Sequence, residues 1–275
     1  MLGAGFSFAL LAACVKLLAE HKVPTGQIVF FRAFVALIIL FVFMRWRGLA
    51  IATPLWKTQL SNNVVGIVAL VAYFSSIKLL PLTTAVTLNY ASPIFVGLLL
   101  MIGKQLAVGP GQIVALLTGF AGVALLLNPS FDSSAWMGYF IAVASAVLSA
   151  KFFLNIRRLG SLGEPSVRSV YYFNLFSSIA MLPWYLMSDP LHAIDVSNAA
   201  LLFAIGLLSV LGQVMLTFAY QQGKPLLSAS LGYSQVVFSC LLGVGIWHDS
   251  LSIYAVFGML LIACSGIVTS AMTRK

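Results

Sequence analysis

An all-α integral membrane protein, with ten transmembrane helices as two inverted five-helix repeats, is the fold class this sequence predicts. Three observations point to it. Of 275 residues, 61% are hydrophobic and only 8% charged, with a mean hydropathy of +1.05, whereas a soluble domain carries about 25% charged residues. The apolar residues fall into ten runs near the length that crosses a bilayer, roughly 2–19, 27–44, 61–78, 83–103, 109–127, 136–155, 168–187, 199–220, 227–247 and 251–271. Landmarks of the first half also recur in the second, in one register.

The connections between runs are short and hold turn residues: Pro24, Gly48, Pro54, Pro81, Gly109-Pro110, Asn128-Pro129, Gly163, Pro165, Asp189-Pro190 and Pro225. The first run has no basic leader, so Leu11-Ala12-Ala13-Cys14 reads as part of a mature helix and not as a lipoprotein cleavage site. Cys14, Cys240 and Cys264 lie inside apolar runs without metal-ligand spacing and read as small buried hydrophobes.

Lys and Arg are distributed unequally. With ten spans, one side holds Arg45, Arg47, Lys57, Lys104, Arg157, Arg158, Arg168, Lys224, Arg274 and Lys275, and the other only Lys22 and Lys78. That asymmetry places both termini in the cytoplasm of a cell with a bacterial-type inner membrane. It also accounts for the net charge of +9 without nucleic acid. Trp136, Trp184 and Trp247 then fall near outer ends, as an interfacial aromatic belt requires.

The fourth run is the centre of the pattern, with Leu88-Asn89-Tyr90-Ala91-Ser92-Pro93 in its middle. Pro93 lacks an N–H and crowds the Asn89 carbonyl, so a kink is expected there. The freed carbonyl needs a partner, met either by packing or by lining a polar cavity. Pro81-Leu82 and Ala85 recur as Pro225-Leu226 and Ala229, and Leu88-Asn89-Tyr90 as Leu231-Gly232-Tyr233, about 144 positions on. Gly122 matches Gly266 and Pro24 matches Pro165 at similar offsets. Residues 1–130 and 131–275 are therefore expected to be two repeats. An odd number of spans in each turns one copy upside down relative to the other, an arrangement used by secondary transporters with midplane sites.

Lys16, Arg32, the stretch Pro81 through Pro93, Gly119-Phe120-Ala121-Gly122-Val123 and Ser265-Gly266-Ile267 together resemble the drug/metabolite transporter superfamily, particularly proteins with two EamA-type domains. The resemblance implies ten helices, a central cavity lined by spans one to four and six to nine, and peripheral fifth and tenth spans. The chain departs from the pattern in two places, at Lys104-Gln105 and at Val236, and keeps an acid before the tenth span. Lys104-Gln105 stands where an acidic residue often precedes the fifth span, Asp249 stands near the equivalent place before the tenth, and Val236 occupies the position matching Pro93.

The substrate-binding candidates come from intramembrane polar residues. Asn62, Gly66, Ala69, Tyr73 and Ser76 share one helical face, matched by Ser209, Gln213, Thr217 and Tyr220. Small and hydroxyl residues also mark helix–helix seams, so the bulkier Tyr73, Gln213 and Tyr220 carry the cavity reading. Asn89, Tyr90, Ser92, Asn174, Tyr233 and Gln235 join them, with Pro93 and Gly232 as hinges; Tyr171, Tyr172 and Ser234 lie beside them. Arg32 and Lys151 are intramembrane cations, open either to snorkelling or to contact with substrate, and Lys16 has Glu20 as a potential partner four residues on.

All six acids, Glu20, Asp132, Glu164, Asp189, Asp195 and Asp249, fall in loops or at span ends, as do His21, His192 and His248. No buried carboxylate, nucleotide-binding loop, metal cluster or catalytic triad is expected, and no cofactor. The pattern speaks for transport of a small polar metabolite by alternating access (an amino acid, a carboxylated or an adenosyl-type solute) and against an enzyme. The excess of intramembrane cations favours an anionic or zwitterionic ligand. The alternative is a non-transporting scaffold or regulatory subunit that retains the fold. The expected partners are a small-molecule substrate and the lipid bilayer, with a homodimer left open.

Overall fold

The computed structural model describes residues 1–104, 108–187 and 196–274. Gln105, Asp189, Pro190, His192, Asp195 and Lys275 lie outside the described residues, as does the side chain of Arg274. The chain forms twelve α-helices: α1 Leu2–Glu20, α2 Thr25–Trp46, α3 Trp56–Leu79, α4 Leu82–Asn89, α5 Ser92–Ile102, α6 Pro110–Leu127, α7 Trp136–Ser161, α8 Ser166–Leu186, α9 Val196–Gln222, α10 Pro225–Gly232, α11 Ser234–Trp247 and α12 Ile253–Arg274. Among the described residues there is no strand.

Proline sets many of the helix starts. Pro24, Pro81 and Pro165 sit in extended backbone immediately before α2, α4 and α8, while Pro110 and Pro225 are the first residues of α6 and α10. A missing N–H costs nothing there, and the fixed φ prepares the first turn. Helix ends use left-handed residues at Asn128 and His248, with φ of 45° and 55°.

Nine segments among the described residues are long and apolar enough to cross a membrane, counting α4 with α5 and α10 with α11 as one each. Helix α8 has 21 residues but falls outside that set, because Arg168, Asn174 and four serines dilute its apolar content.

The fourth span is broken, not merely kinked. Helix α4 stops at Asn89, and α5 restarts at Ser92 with Pro93 in its first turn, so the proline no longer opposes a helical carbonyl. The N–H groups of Ile94 and Phe95 both donate to the carbonyl of Ala91. The α10–α11 span breaks at Tyr233, where the N–H of Val236 donates to the Tyr233 carbonyl at 3.0 Å. Lacking a proline, this second break is a single tightened turn.

Packing interleaves the two halves of the chain. Helix α6 lies along α12, α3 along α7, α2 along α8, and α1 along both α9 and α11. The α6–α12 seam closes to backbone contact: a Cβ on Gly122 would stand 2.6 Å from the carbonyl oxygen of Gly258, and one on Gly258 equally close to that of Gly122. Ser265 Oγ donates to the Ala115 carbonyl across the same seam at 2.6 Å. Small residues and interhelical hydrogen bonds are what hold helices together where lipid tails are as apolar as the side chains. Large apolar residues such as Phe34, Ile38, Phe140 and Phe203 face outward instead.

Candidate functional site

Two adjoining cavities lie inside the bundle. The first, of about 160 Å³, has walls from Phe8 of α1, Arg32 of α2, Asn62 and Leu70 of α3, and Phe152, Phe153 and Ile156 of α7. Ser169, Val170 and Phe173 of α8 and Gln213, Leu216 and Thr217 of α9 complete it. The second, also of about 160 Å³, is bounded by Gly66, Ala69 and Tyr73 of α3, Asn89 of α4 and Ser149 of α7. Leu70, Phe152, Phe153 and Phe173 belong to both and form the partition between them.

The partition is built from stacked rings. Phe152 and Phe173 have centroids 5.2 Å apart, and Phe153 lies nearly parallel to Tyr220 at 4.8 Å. Gly66 makes room for it, since a Cβ there would stand 2.7 Å from the Phe152 ring and 3.1 Å from Phe173.

The polar groups are fixed from behind. Asn174 Nδ2 donates to Gln213 Oε1 at 2.6 Å and to the Val170 carbonyl at 2.9 Å, which orients the Gln213 amide. Asn89 Nδ2 donates to Ser145 Oγ at 3.1 Å, and that hydroxyl donates to the Ala69 carbonyl at 2.9 Å. The amide beside the fourth-span break is thereby tied to both α7 and α3. Ser76 Oγ donates to the Tyr73 carbonyl.

The candidates separate into two sets. Tyr73, Asn89, Arg32 and Gln213 line the cavities, Asn174 stands directly behind Gln213, and Tyr220 backs the partition. The others lie elsewhere. Tyr233 is fully buried against Gly119, with its hydroxyl donating to the Leu116 carbonyl at 3.3 Å; it joins the α10–α11 span to α6. Tyr90 packs beside it, against Val123, Val236 and Ile262. Ser92 and Pro93 are buried at the start of α5, Gly232 ends α10, and Gln235 lies against Gly5 of α1. Lys151 is exposed, on the opposite side of α7 from Ser149, Phe152 and Phe153.

Lys16 and Arg32, both within membrane-length helices, differ in their surroundings. Lys16 is 47% exposed and pairs with Asp249 at 3.8 Å, with its ammonium 4.0 Å from the Trp247 ring centroid. The expected Lys16–Glu20 pair is not formed, because Glu20 instead accepts from Trp247 Nε1 at 2.7 Å. Arg32 is half-buried: its Nε is buried without a hydrogen-bond partner, and its side chain forms part of the first cavity's wall.

One acid corrects the sequence reading. Glu164 does lie in the α7–α8 connection, yet it is only 5% exposed. It accepts from Thr53 Oγ1 at 2.8 Å and Gln59 Nε2 at 3.1 Å, and pairs with Arg168 at 3.6 Å. The start of α3 and the connection before it fold over the carboxylate. Gln59 Nε2 also donates to Ser169 Oγ at 3.3 Å, and Ser169 lines the first cavity. The network therefore closes that cavity at the end where α3 and α8 begin. The phenylalanines of the partition were missed because nothing in sequence separates an apolar ring facing a cavity from one facing lipid. The signal open to sequence reading was the i, i+3, i+4, i+7 spacing of Ser149, Phe152, Phe153 and Ile156.

A bundle of membrane-length helices around an internal, partly polar cavity defines a membrane transporter architecture. The chain belongs to the EamA-like transporter family, whose model matches residues 1–128 and 136–271. It is similar to the pseudopaline exporter CntI of Pseudomonas aeruginosa, with 30% identity over 99% of this chain and 94% of the relative. An uncharacterized transporter of Helicobacter pylori is 23% identical over 96% of this chain and 91% of its own. A riboflavin transporter of Brucella anthropi is 24% identical over 72% and 71%. A solved crystal structure with 21% identity superposes with a TM-score of 0.85 over 98% of this chain and 96% of the other, a likeness of fold.

Proposed function

We propose that this protein is a secondary transporter that moves a small polar metabolite, of the amino acid, carboxylated or adenosyl class, across the inner membrane by alternating access. The observation that carries this reading is the paired cavity whose walls come from both halves of the chain. The helix pairings support an inverted repeat. Exchanging α1, α2, α3, α4–α5 and α6 with α7, α8, α9, α10–α11 and α12 turns the α3–α7 contact into α9–α1 and the α5–α7 contact into α11–α1, and both are present. It turns α2–α8 and α6–α12 into themselves. On this reading α8 is the seventh of ten spans, and the Glu164 network lies at the cytoplasmic end, where both termini also lie.

The transport step is a change in which end of the cavity is closed. On this reading the Glu164 network acts as the cytoplasmic gate, and breaking it while the opposite end closes would pass the solute through. Aromatic walls with a few oriented amides suit a small organic solute. Two of the relatives are named for transport of an organic solute, pseudopaline in one and riboflavin in the other.

The test is flux of labelled metabolites into proteoliposomes. Transport is expected with the wild type and is expected to fall at least tenfold in Gln213→Leu and Asn174→Leu with the fold retained. If no solute in a broad screen moves, the protein is a scaffold that keeps the family fold.

A further inference from the structure

Arg32 leaves a charge unaccounted for. Its Nε is buried without a hydrogen-bond partner, and its side chain forms part of the first cavity's wall. Among the described residues the two ion pairs are Lys16 with Asp249 and Arg168 with Glu164, and neither reaches Arg32. A buried lysine can shed its proton, but a guanidinium keeps its charge at any working pH. An uncompensated cation inside a membrane bundle is costly, and such residues mark substrate pathways. Placed against an internal cavity, it is a counter-ion site for an incoming anion.

The rest of the wall narrows the anion's chemistry. The other polar groups are neutral: Asn62, Ser169, Gln213 and Thr217. One cation balances a monoanion, whereas a phosphate near neutral pH brings close to two negative charges and would leave one unmatched. A carboxylate also fits the planar two-donor fork of a guanidinium. No acidic side chain lines either cavity, so an amine on the ligand would find no charged partner. The remaining wall is largely phenylalanine, which accommodates a flat or branched apolar body.

We infer that the cavity binds a monocarboxylate with an apolar or aromatic body, with its carboxylate on Arg32. This deepens the transport reading of the same cavity and rests on it.

The experiment uses the purified full-length protein in nanodiscs, with binding followed by thermal shift and calorimetry. The probes are phenylacetate, phenylacetamide, phenethylamine and inorganic phosphate. Phenylacetate is expected to bind at least tenfold more tightly than the other three. Arg32→Gln is expected to lose that preference while melting, without ligand, close to the wild-type temperature, because the Arg32 Nε has no hydrogen-bond partner and neither ion pair among the described residues involves Arg32. Arg32→Lys keeps the charge without the fork and should retain part of the affinity. Equal binding of acid, amide and amine, tighter binding of phosphate, or undiminished binding of phenylacetate by Arg32→Gln would overturn the anion assignment and leave the cavity as a solute site. Should Arg32→Gln fail to fold, a folded Arg32→Lys that no longer distinguishes acid from amide overturns it too. No binding by any probe, together with no flux of any screened solute, would overturn both the assignment and the transport reading.

Discussion

A methyl group at Gly66 has nowhere to go except through a phenylalanine. The built Cβ stands 2.7 Å from Cδ2 and Cε2 of Phe152, so that ring must move, and the open space nearest to it is the pair of cavities it divides. Overpacking of a filled core costs roughly 1–3 kcal/mol. Here the cavities absorb the displaced ring, so Gly66→Ala is expected to cost under about 1 kcal/mol of stability while lowering flux several-fold. Melting curves set beside proteoliposome uptake check this, and a variant that melts early yet transports normally would contradict it. The Asn62–Gly66–Ala69–Tyr73 stripe was legible in sequence because a helical period puts four small or polar residues on one face. Tyr233 is as polar as Tyr73, but its own helix directs it to a seam. Residue type alone does not separate those two fates.

At the scale of elements, local rules and long-range contacts part company. Helix starts were readable because proline constrains the residue before it and tolerates the first turn, and the break between α4 and α5 follows from Pro93. The burial of Glu164 was not readable, since its partners Thr53 and Gln59 are 111 and 105 residues away and depend on two connections meeting. The resulting clasp ties the start of α3 to the start of α8. Removing one partner of a buried ion pair costs about 3–5 kcal/mol, because the other charge is left behind. Arg168 keeps 15% of its side-chain surface, so the lower part of that range is expected for Glu164→Ala. The same change should open the cavity at that end. In a background without the native cysteines, a Leu70→Cys probe should label faster from the membrane face on the Glu164 side when Glu164 is replaced. Unchanged labelling would show that the clasp holds the fold and not the cavity's closure.

For the whole molecule, the decisive fact is how little the first half holds itself together. The extensive contacts of α1, α2, α3 and α6 are with α9 and α11, α8, α7 and α12, all beyond residue 130, while the contacts of α1 with α2 and of α3 with α4 are slight. Each half of the chain therefore buries small-residue faces on the other: Gly122 meets Gly258, Ala115 accepts from Ser265, and Gly66 meets Phe152 and Phe173. The internal offset in sequence says nothing of this exchange, because a repeat read along the chain looks the same whether its helices pair within the copy or across it. Membrane helices associate by close packing and interhelical hydrogen bonds, and a half deprived of both has no second source of cohesion. Residues 1–130 produced alone should therefore insert but be degraded, whereas co-production with 131–275 should yield a complex recovered through a tag on one fragment, with flux restored in proteoliposomes. A first half that accumulates, resists protease and melts cooperatively by itself would show that the repeats are separate folding units. In that case the cavity between them would be an interface between two preformed bodies, and its closure would be governed by rigid docking and not by the interleaved helices described above.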